Sequence, residues 1–418
     1  MSGTRTTSMT KYMQNYNFNT SMVIQHHATI KGISMKINFL SIMIISLLLL
    51  SCSSPTVSVQ ISNPLGVQRN VEVVGIDRDL IDGDINTAQN IVATYAGDDQ
   101  ILPIQLVDED QNGSWDQLLV LVSLEANETR EMVFKNSDTP HRTDKSYVFG
   151  RLVPERMDDF AWENDRIAFR MYGPALEKSG EISSGVDVWT KSVDHLIIDN
   201  WYALEDYHKD HGEGGDFYKV GPTLGCGGLG LLYGDSLYTS NNFTDYRILA
   251  EGPLRFAFEL DFEVWGPSDL RITETKRITL DAGSHFNKIF SRLALSRPLE
   301  KDENIVTGLV SHPGISDSPV MMKGSSSGLI VYESMKEGHG EIGTAVIDVH
   351  EIKDRSVISY GDQNLITLPI LERGVVQYYA GAGWSKSPWV KNTSDWIKLV
   401  ENFETRIKNP LQINIKKN

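Results

Sequence analysis

The chain of 418 residues has only two cysteines, Cys52 and Cys226. If one of them is modified, no internal disulfide can form, and stability must come from non-covalent packing. Basic charge is also short: 39 Lys and Arg stand against 55 Asp and Glu, for a formal net charge of −16. Residues 1–51 hold Arg5, Lys11, Lys31 and Lys36 and no acid, so the remainder carries −20. Such a chain lacks the broad basic face that nucleic-acid phosphates require, and an anionic ligand needs a local basic pocket. No glycine-rich dinucleotide or phosphate loop is present, so no organic cofactor is expected. No internal repeat is evident. No apolar run is long enough for a membrane-spanning helix.

The longest apolar run does carry a signal. Met35 to Ser54 reads MKINFLSIMIISLLLLSCSS. Lys36 gives a positive start, Ile37–Leu50 is a signal-type apolar region, and Leu49-Leu50-Ser51-Cys52 is similar to a bacterial lipobox. The thiolate of Cys52 would take the diacylglycerol, so Cys52 is expected as a lipidated N-terminus and 35–51 as a lipoprotein signal peptide. Residues 1–34, rich in Ser, Thr, Asn and Met, read as upstream translation. Ser53 follows Cys52, with no acid there to suggest inner-membrane retention. The expected location is therefore the cell envelope, lipid-anchored at the outer membrane, on its periplasmic or surface face.

About 365 residues follow Cys52, enough for one large or two ordinary domains. They read as strands nearly throughout. From Leu254 to Val264 every even position is apolar (Leu254, Phe256, Phe258, Leu260, Phe262, Val264), a period of two that buries one face. Arg271–Leu280, Lys288–Leu295, Ile305–Val310, Gly328–Tyr332 and Val375–Ala380 continue the pattern, with turns at Gly266-Pro267 and Asp281-Ala-Gly283. One helix is expected near the end, capped by Thr393 or Ser394, with Trp396, Leu399, Val400 and Phe403 at helical spacing. The fold class is all-β, a large antiparallel β-sandwich. A small N-terminal β-sandwich spans 55–137, a polar linker follows, and 145–418 forms the larger catalytic sandwich.

Several segments carry chemistry. Asp108-x-Asp110-x-Asn112-Gly113-x-x-Asp116 is similar to the front of a calcium loop, but Leu119 stands where the closing Glu belongs. A hairpin turned by Asn-Gly is the preferred reading, and no metal is expected. Tyr207–Tyr218 is denser: His208, Asp210, His211, Glu213 and Asp216 lie between two tyrosines. Gly212, Gly214 and Gly215 make it a loop. His208 and His211 suit acid–base chemistry, with metal binding through His208, His211 and Asp216 as the competing use. In Trp162–Gly173, strand alternation puts Arg166, Ala168, Arg170 and Tyr172 on one face, a pair of guanidiniums suited to carboxylate or sulfate. Asp187, Trp189 and Lys191 share a face, an aromatic beside a cation. Trp384 and Lys386 follow a strand in a Gly-rich loop, and His312 sits at another strand end. Cys226, between glycines, reads as a small packed residue.

The stretches WENDRIAFRMYG, DVWTK, YHKDHGEGGDFYKVGPTLGCGG and YYAGAGWSK resemble a bacterial polysaccharide-utilisation family that includes an ulvan oligosaccharide dehydratase. The resemblance covers most of the chain from about residue 56 and implies a galactose-mutarotase-like supersandwich. It further implies elimination of water across C4 and C5 of a non-reducing-end uronic acid linked to sulfated rhamnose, giving a 4,5-unsaturated uronate without a cofactor. On this reading His208 or His211 is one catalytic partner and Tyr218 the other. Arg166, Arg170 and Lys191 take the carboxylate or sulfate, and Trp189 and Trp384 take the sugar faces. Tyr172, Asp216 and Lys386 complete the substrate-binding set. The partners are an anionic oligosaccharide and, through the lipid, a membrane; no nucleic acid is expected. A polysaccharide lyase, a sugar epimerase or mutarotase, and a non-catalytic glycan-binding lipoprotein are the alternatives.

Overall fold

The computed structural model describes residues 56–415 except 82, 139–142, 144, 205, 313–319, 324–327 and 351–355. The expected signal segment and Cys52 lie outside the described residues. No described helix is long and apolar enough to cross a membrane.

The chain is built from antiparallel sheets. The largest has eight strands, in the order Phe243–Glu251, Arg255–Phe262, Ile272–Asp281, Phe286–Leu295, Val375–Trp384, Glu341–Ile347, Gly328–Ser334 and Val320–Lys323. A five-stranded sheet runs Ser236–Thr239, Cys226–Tyr233, Glu303–Val310, Gln363–Thr367, Ile358–Tyr360. Phe256, Phe258, Leu260, Leu229, Leu231, Leu309 and Tyr378 meet in one core between them. The all-β sandwich expected from the sequence is the observed class. The alternation at 254–264 holds for Phe256 to Phe262 and fails at Val264, which is exposed. The strand ends at Phe262. A bridge between Trp265 and Ile272 buries the indole in place of Val264.

A smaller core joins the sheet Gln412–Ile415, Thr56–Ser62, Thr129–Asn136, Ile91–Tyr95, Ile101–Leu102 to the sheet Arg69–Asp77, Gln117–Leu124, Ile104–Val107. Val59, Ile61, Ile76, Leu118, Met132 and Phe134 fill it. The last strand of the chain returns here and pairs Ile415 with Val59.

The helix Thr393–Lys408 starts one residue before the expected caps. Asn392 is the cap, its side-chain oxygen accepting from Asp395 N at 3.1 Å. Asp395 at its start and Arg406 and Lys408 at its end complement the helix dipole. Trp396 and Val400 dock on the eight-stranded sheet beside Phe286. A glycine makes that docking possible. A Cβ at Gly343 would lie 2.5 Å from the Trp396 ring. Gly343→Ala is therefore expected to cost about 1–3 kcal/mol by overpacking, read as a lower urea midpoint with an unchanged slope. Two short helices, Pro174–Lys178 and Ile198–Leu204, were not legible in the sequence. Each is too short to show a helical repeat.

Candidate functional site

A third sheet positions the chemistry. Its order is Gly214–Gly215, Asp187–Lys191, Ala168–Met171, Asp159–Asn164, Val148–Val153. Ala168 stands opposite Trp189 and Glu163, and Arg170 opposite Asp187 and Ala161. Alternation sends Phe160, Trp162, Phe169, Met171 and Val188 into the large core. The other face carries Asp159, Glu163, Arg170, Asp187, Trp189 and Lys191, all buried. Their cover is aromatic: Trp189 stacks on Trp201 of the helix Ile198–Leu204 at 5.8 Å and on Tyr207 at 4.8 Å.

Buried charges must be paired, and here they are. Lys191 Nζ lies 2.7 Å from Glu163 Oε2, 2.9 Å from Asn164 O and 2.6 Å from His195 O. Glu163 Oε1 accepts from Ile197 N and Ile198 N. Arg170 serves three carboxylates. Its Nη2 donates to Asp216 Oδ2 at 2.9 Å and lies 2.6 Å from Asp187 Oδ2, while Nη1 is 3.8 Å from Asp159 Oδ2. Burial pushes Asp159 up to about 7 against the pull of Arg170 and Arg156. Burial and the neighbouring Asp216 likewise raise Asp187 well above the carboxylate range.

The Asp159 shift predicts a pH dependence. Its folded pKa is raised, so between about pH 4 and 7 the folded chain holds a proton that the unfolded chain has released. The contribution is complete below about pH 4 and is lost as pH rises through about 7. Relative to the parent, Asp159→Asn should remove a decline of at most about 1.4 kcal/mol per pH unit. Urea midpoints compared across that range measure it.

The loop 206–218 rises from this face to the surface. Asp210 Oδ1 accepts from Gly212 N at 2.8 Å and Gly214 N at 3.2 Å. Gly214 has φ +125°, and a Cβ there would lie 2.0 Å from Thr190 O, so only glycine fits. Glu213 clamps the loop, with Oε1 3.0 Å from His195 Nε2 and Oε2 accepting from Trp201 Nε1 at 3.3 Å. At its rim stands His208, whose side chain is 61% exposed. Its Nδ1 is 3.4 Å from the buried Asp216 Oδ2 and 3.3 Å from Asp216 O. Both partners accept, so Nδ1 carries the proton and Nε2 is left as a lone-pair acceptor. A continuous chain results: His208, Asp216, Arg170 and then Tyr172, whose hydroxyl is 3.4 Å from Arg170 Nη2. Tyr172 is partly exposed, and burial raises its pKa, keeping the phenol protonated.

The structure brings together His208, Asp216, Arg170 and Tyr172, with Trp189 packed 5.3 Å from the Arg170 guanidinium. His211 turns to Asp206, with Nε2 3.3 Å from its carbonyl, away from Asp216. Tyr218 is buried edge-on against His312 at 5.3 Å, and burial holds its phenol far above the usual value. Its neighbour Phe217 is half-buried and stacked on His339 at 3.8 Å, while Lys219 is exposed. Arg170 and Lys191 are enclosed and ion-paired, so neither reaches a ligand's carboxylate or sulfate directly. Trp189 and Trp384 are both fully packed and offer no sugar-stacking face; Trp384 Nε1 donates to His339 O at 2.7 Å. Lys386 stays exposed, 3.9 Å from Asp210. Arg166 stands apart at the hairpin tip beside Trp389. His312 bridges Glu333 Oε1 at 2.6 Å and Lys219 O at 2.7 Å. Cys226 is buried and inert, its thiol raised by burial. Among the described residues, the single group of three carboxylate, His or Cys ligands within reach of one another is Asp108, Asp110 and Asp116. Those carboxylates also hold the turn: Asp108 accepts from Asn112 N and Gly113 N.

Sequence reasoning overlooked Asp159 and the Trp201 cover. The signal available was the alternation of 159, 161 and 163, which mirrors that of 168, 170 and 172. It shows that these residues share a face, not that the face is roofed.

A family model described as "Domain of unknown function (DUF4861)" matches residues 61–413. "Uncharacterized protein P7" of Formosa agariphila is 33% identical over 381 residues, covering 85% of this chain and 93% of that protein. Among solved structures, a protein in glycosyl hydrolase family 38 from Enterococcus faecalis aligns with a TM-score of 0.50 at 8% identity. That alignment covers 87% of this chain, which spans about half (47%) of the matched structure, and it concerns the fold alone. With a family model spanning most of the chain, and a relative of this identity and coverage, the chain belongs to the family of the domain of unknown function DUF4861.

Proposed function

We propose that the protein is a carbohydrate-active hydro-lyase. It removes water from the non-reducing-end uronic acid of an ulvan-type sulfated oligosaccharide and leaves a 4,5-unsaturated uronate. The observation that carries the reading is His208, solvent-facing at Nε2 and oriented at Nδ1 by a buried, Arg-held carboxylate. The resemblance of the loop and strand motifs to the dehydratase-containing family supports the substrate class. The glycosyl hydrolase fold likeness is compatible with it.

In the mechanism, Nε2 of His208 takes the C5 proton, and its electron pair forms the C4–C5 double bond. The C4–O4 bond breaks, and the Tyr172 hydroxyl supplies the proton with which O4 leaves as water. The protonated imidazole returns its proton, through solvent, to the phenolate. Asp216 does not touch the sugar; it sets the His208 tautomer and stabilises the imidazolium. The uronate carboxylate makes C5 a poor acid, so a cation must offset the charge that develops there. Lys386, exposed and 3.9 Å from Asp210 of the His208 loop, is a cation placed for this. A lipid at Cys52 would hold the enzyme at the outer membrane, where captured oligosaccharides pass.

The test is incubation with a panel of uronate-terminated oligosaccharides, followed by ultraviolet absorbance and mass spectrometry. A new alkene with loss of one water and no chain cleavage is the expected result. Cleavage with the same alkene would make the protein a polysaccharide lyase. Unchanged mass and absorbance across the panel would rule out elimination.

A further inference from the structure

A second constellation lies away from His208 and is built as rigidly. The hairpin tip 164–166 is fixed to the turn 281–285. Asn164 Nδ2 donates to Asp281 O at 2.7 Å and Ser284 O at 2.6 Å, and Gly283 N donates to Asp165 Oδ1 at 2.7 Å. This docking presents Arg166. Its guanidinium lies 4.5 Å from the centre of the Trp389 ring. Its one ion partner among the described residues is Asp165, at 3.4 Å, whose other oxygen is already taken by Gly283. Most of the five N–H donors therefore remain uncommitted. Against the same indole, edge to face at 6.0 Å, stands His285. It is buried, and its Nε2 has no hydrogen-bond partner in the protein. Burial and the Arg166 charge lower its pKa to about 3, so the imidazole is neutral. Trp389 itself is partly exposed.

We propose that Arg166, Trp389 and His285 form a distal subsite for a sulfated or carboxylated sugar ring. Each residue has a distinct part. The planar guanidinium matches the oxygens of a sulfate ester or carboxylate and is pre-set by its stack on the indole. The exposed indole surface takes the apolar side of a pyranose. The neutral, buried imidazole fixes the plane of the indole from beneath. The place fits an oligosaccharide. Arg166 is four residues from Arg170, at most about 13–14 Å of extended chain, the scale of a short oligosaccharide. Lys386, three residues before Trp389 in one loop, reaches the His208 loop at Asp210. One surface loop thus borders both the reacting site and the distal one. This inference rests on the reading that the ligand is an anionic glycan, and it does not need that glycan to be dehydrated.

The experiment uses the full mature chain and a size series of sulfated, uronate-containing oligosaccharides from disaccharide to hexasaccharide. Binding is measured by calorimetry and turnover by alkene absorbance. Arg166→Ala and Trp389→Ala should each weaken hexasaccharide binding about tenfold or more, the worth of one charged or stacking contact. They should leave disaccharide turnover near the parent value. Arg166→Lys should fail to restore affinity, since a point charge replaces a planar fork. Structural damage is checked by ultraviolet circular dichroism, with Lys391→Ala, an exposed lysine in the same loop region, as the control. Parental hexasaccharide affinity in both alanine variants overturns the subsite, as does absence of any binding by the parent. Binding that depends on Arg166 without any alkene product keeps the subsite and removes the dehydratase reading.

Discussion

His208→Ala is expected to lower turnover by about 10²–10⁴-fold, the usual contribution of a positioned general base. The side chain is 61% exposed, so the unfolding midpoint should stay at the parent value. The two readouts together separate chemistry from stability. Asp216→Asn should act through the same histidine, with a fall in kcat, because an amide does not stabilise the imidazolium. Its carboxylate also pairs Arg170, so some loss of stability should accompany it. A fully active His208→Ala variant would remove this residue from the mechanism and move attention to His211 and Lys386, two further exposed groups of the rim.

The second large effect concerns the charge beneath the rim. Arg170→Met should cost about 3–5 kcal/mol, the penalty for stranding buried charge when one partner is removed. Asp159, Asp187 and Asp216 would then face one another without their shared guanidinium. The carboxyl groups answer by holding protons more tightly, so the deficit should shrink as pH falls and widen as pH rises. Urea unfolding of Arg170→Met at several pH values measures this. A deficit independent of pH would mean that lost packing rather than stranded charge is responsible. Arg170 touches no ligand in the proposed mechanism. Its part is to hold Asp216, and through it His208, in place.

How much of this was legible in advance differs between elements. The strand Arg255–Phe262 could be read to within one or two residues, because period-two burial is written directly into the order of side chains. The helix Thr393–Lys408 could be read because its apolar stripe spans four turns; the cap was misplaced by one residue because Asn392, Thr393 and Ser394 all suit that role. The loop 207–218 announced itself as a site by composition. Which of its members serve could not be read, since a loop has no period. His208 and His211 differ only in whether the backbone carries them toward Asp216 or Asp206.

The sequence by itself determined the all-β class, the sharing of a face by Asp187, Trp189 and Lys191, and the concentration of His, Asp and Tyr in one loop. These follow from local geometry, in which neighbours two apart point the same way. Only the tertiary structure decided whether such a face meets water or a roof. The helix Ile198–Leu204 and Tyr207 close over Trp189, which turns Arg170 and Lys191 from ligand-binding cations into buried partners of carboxylates. His208, Tyr172, Lys386 and Arg166 keep at least part of their side chains in solvent. Burial depends on what packs from elsewhere in the chain, and no local pattern encodes it.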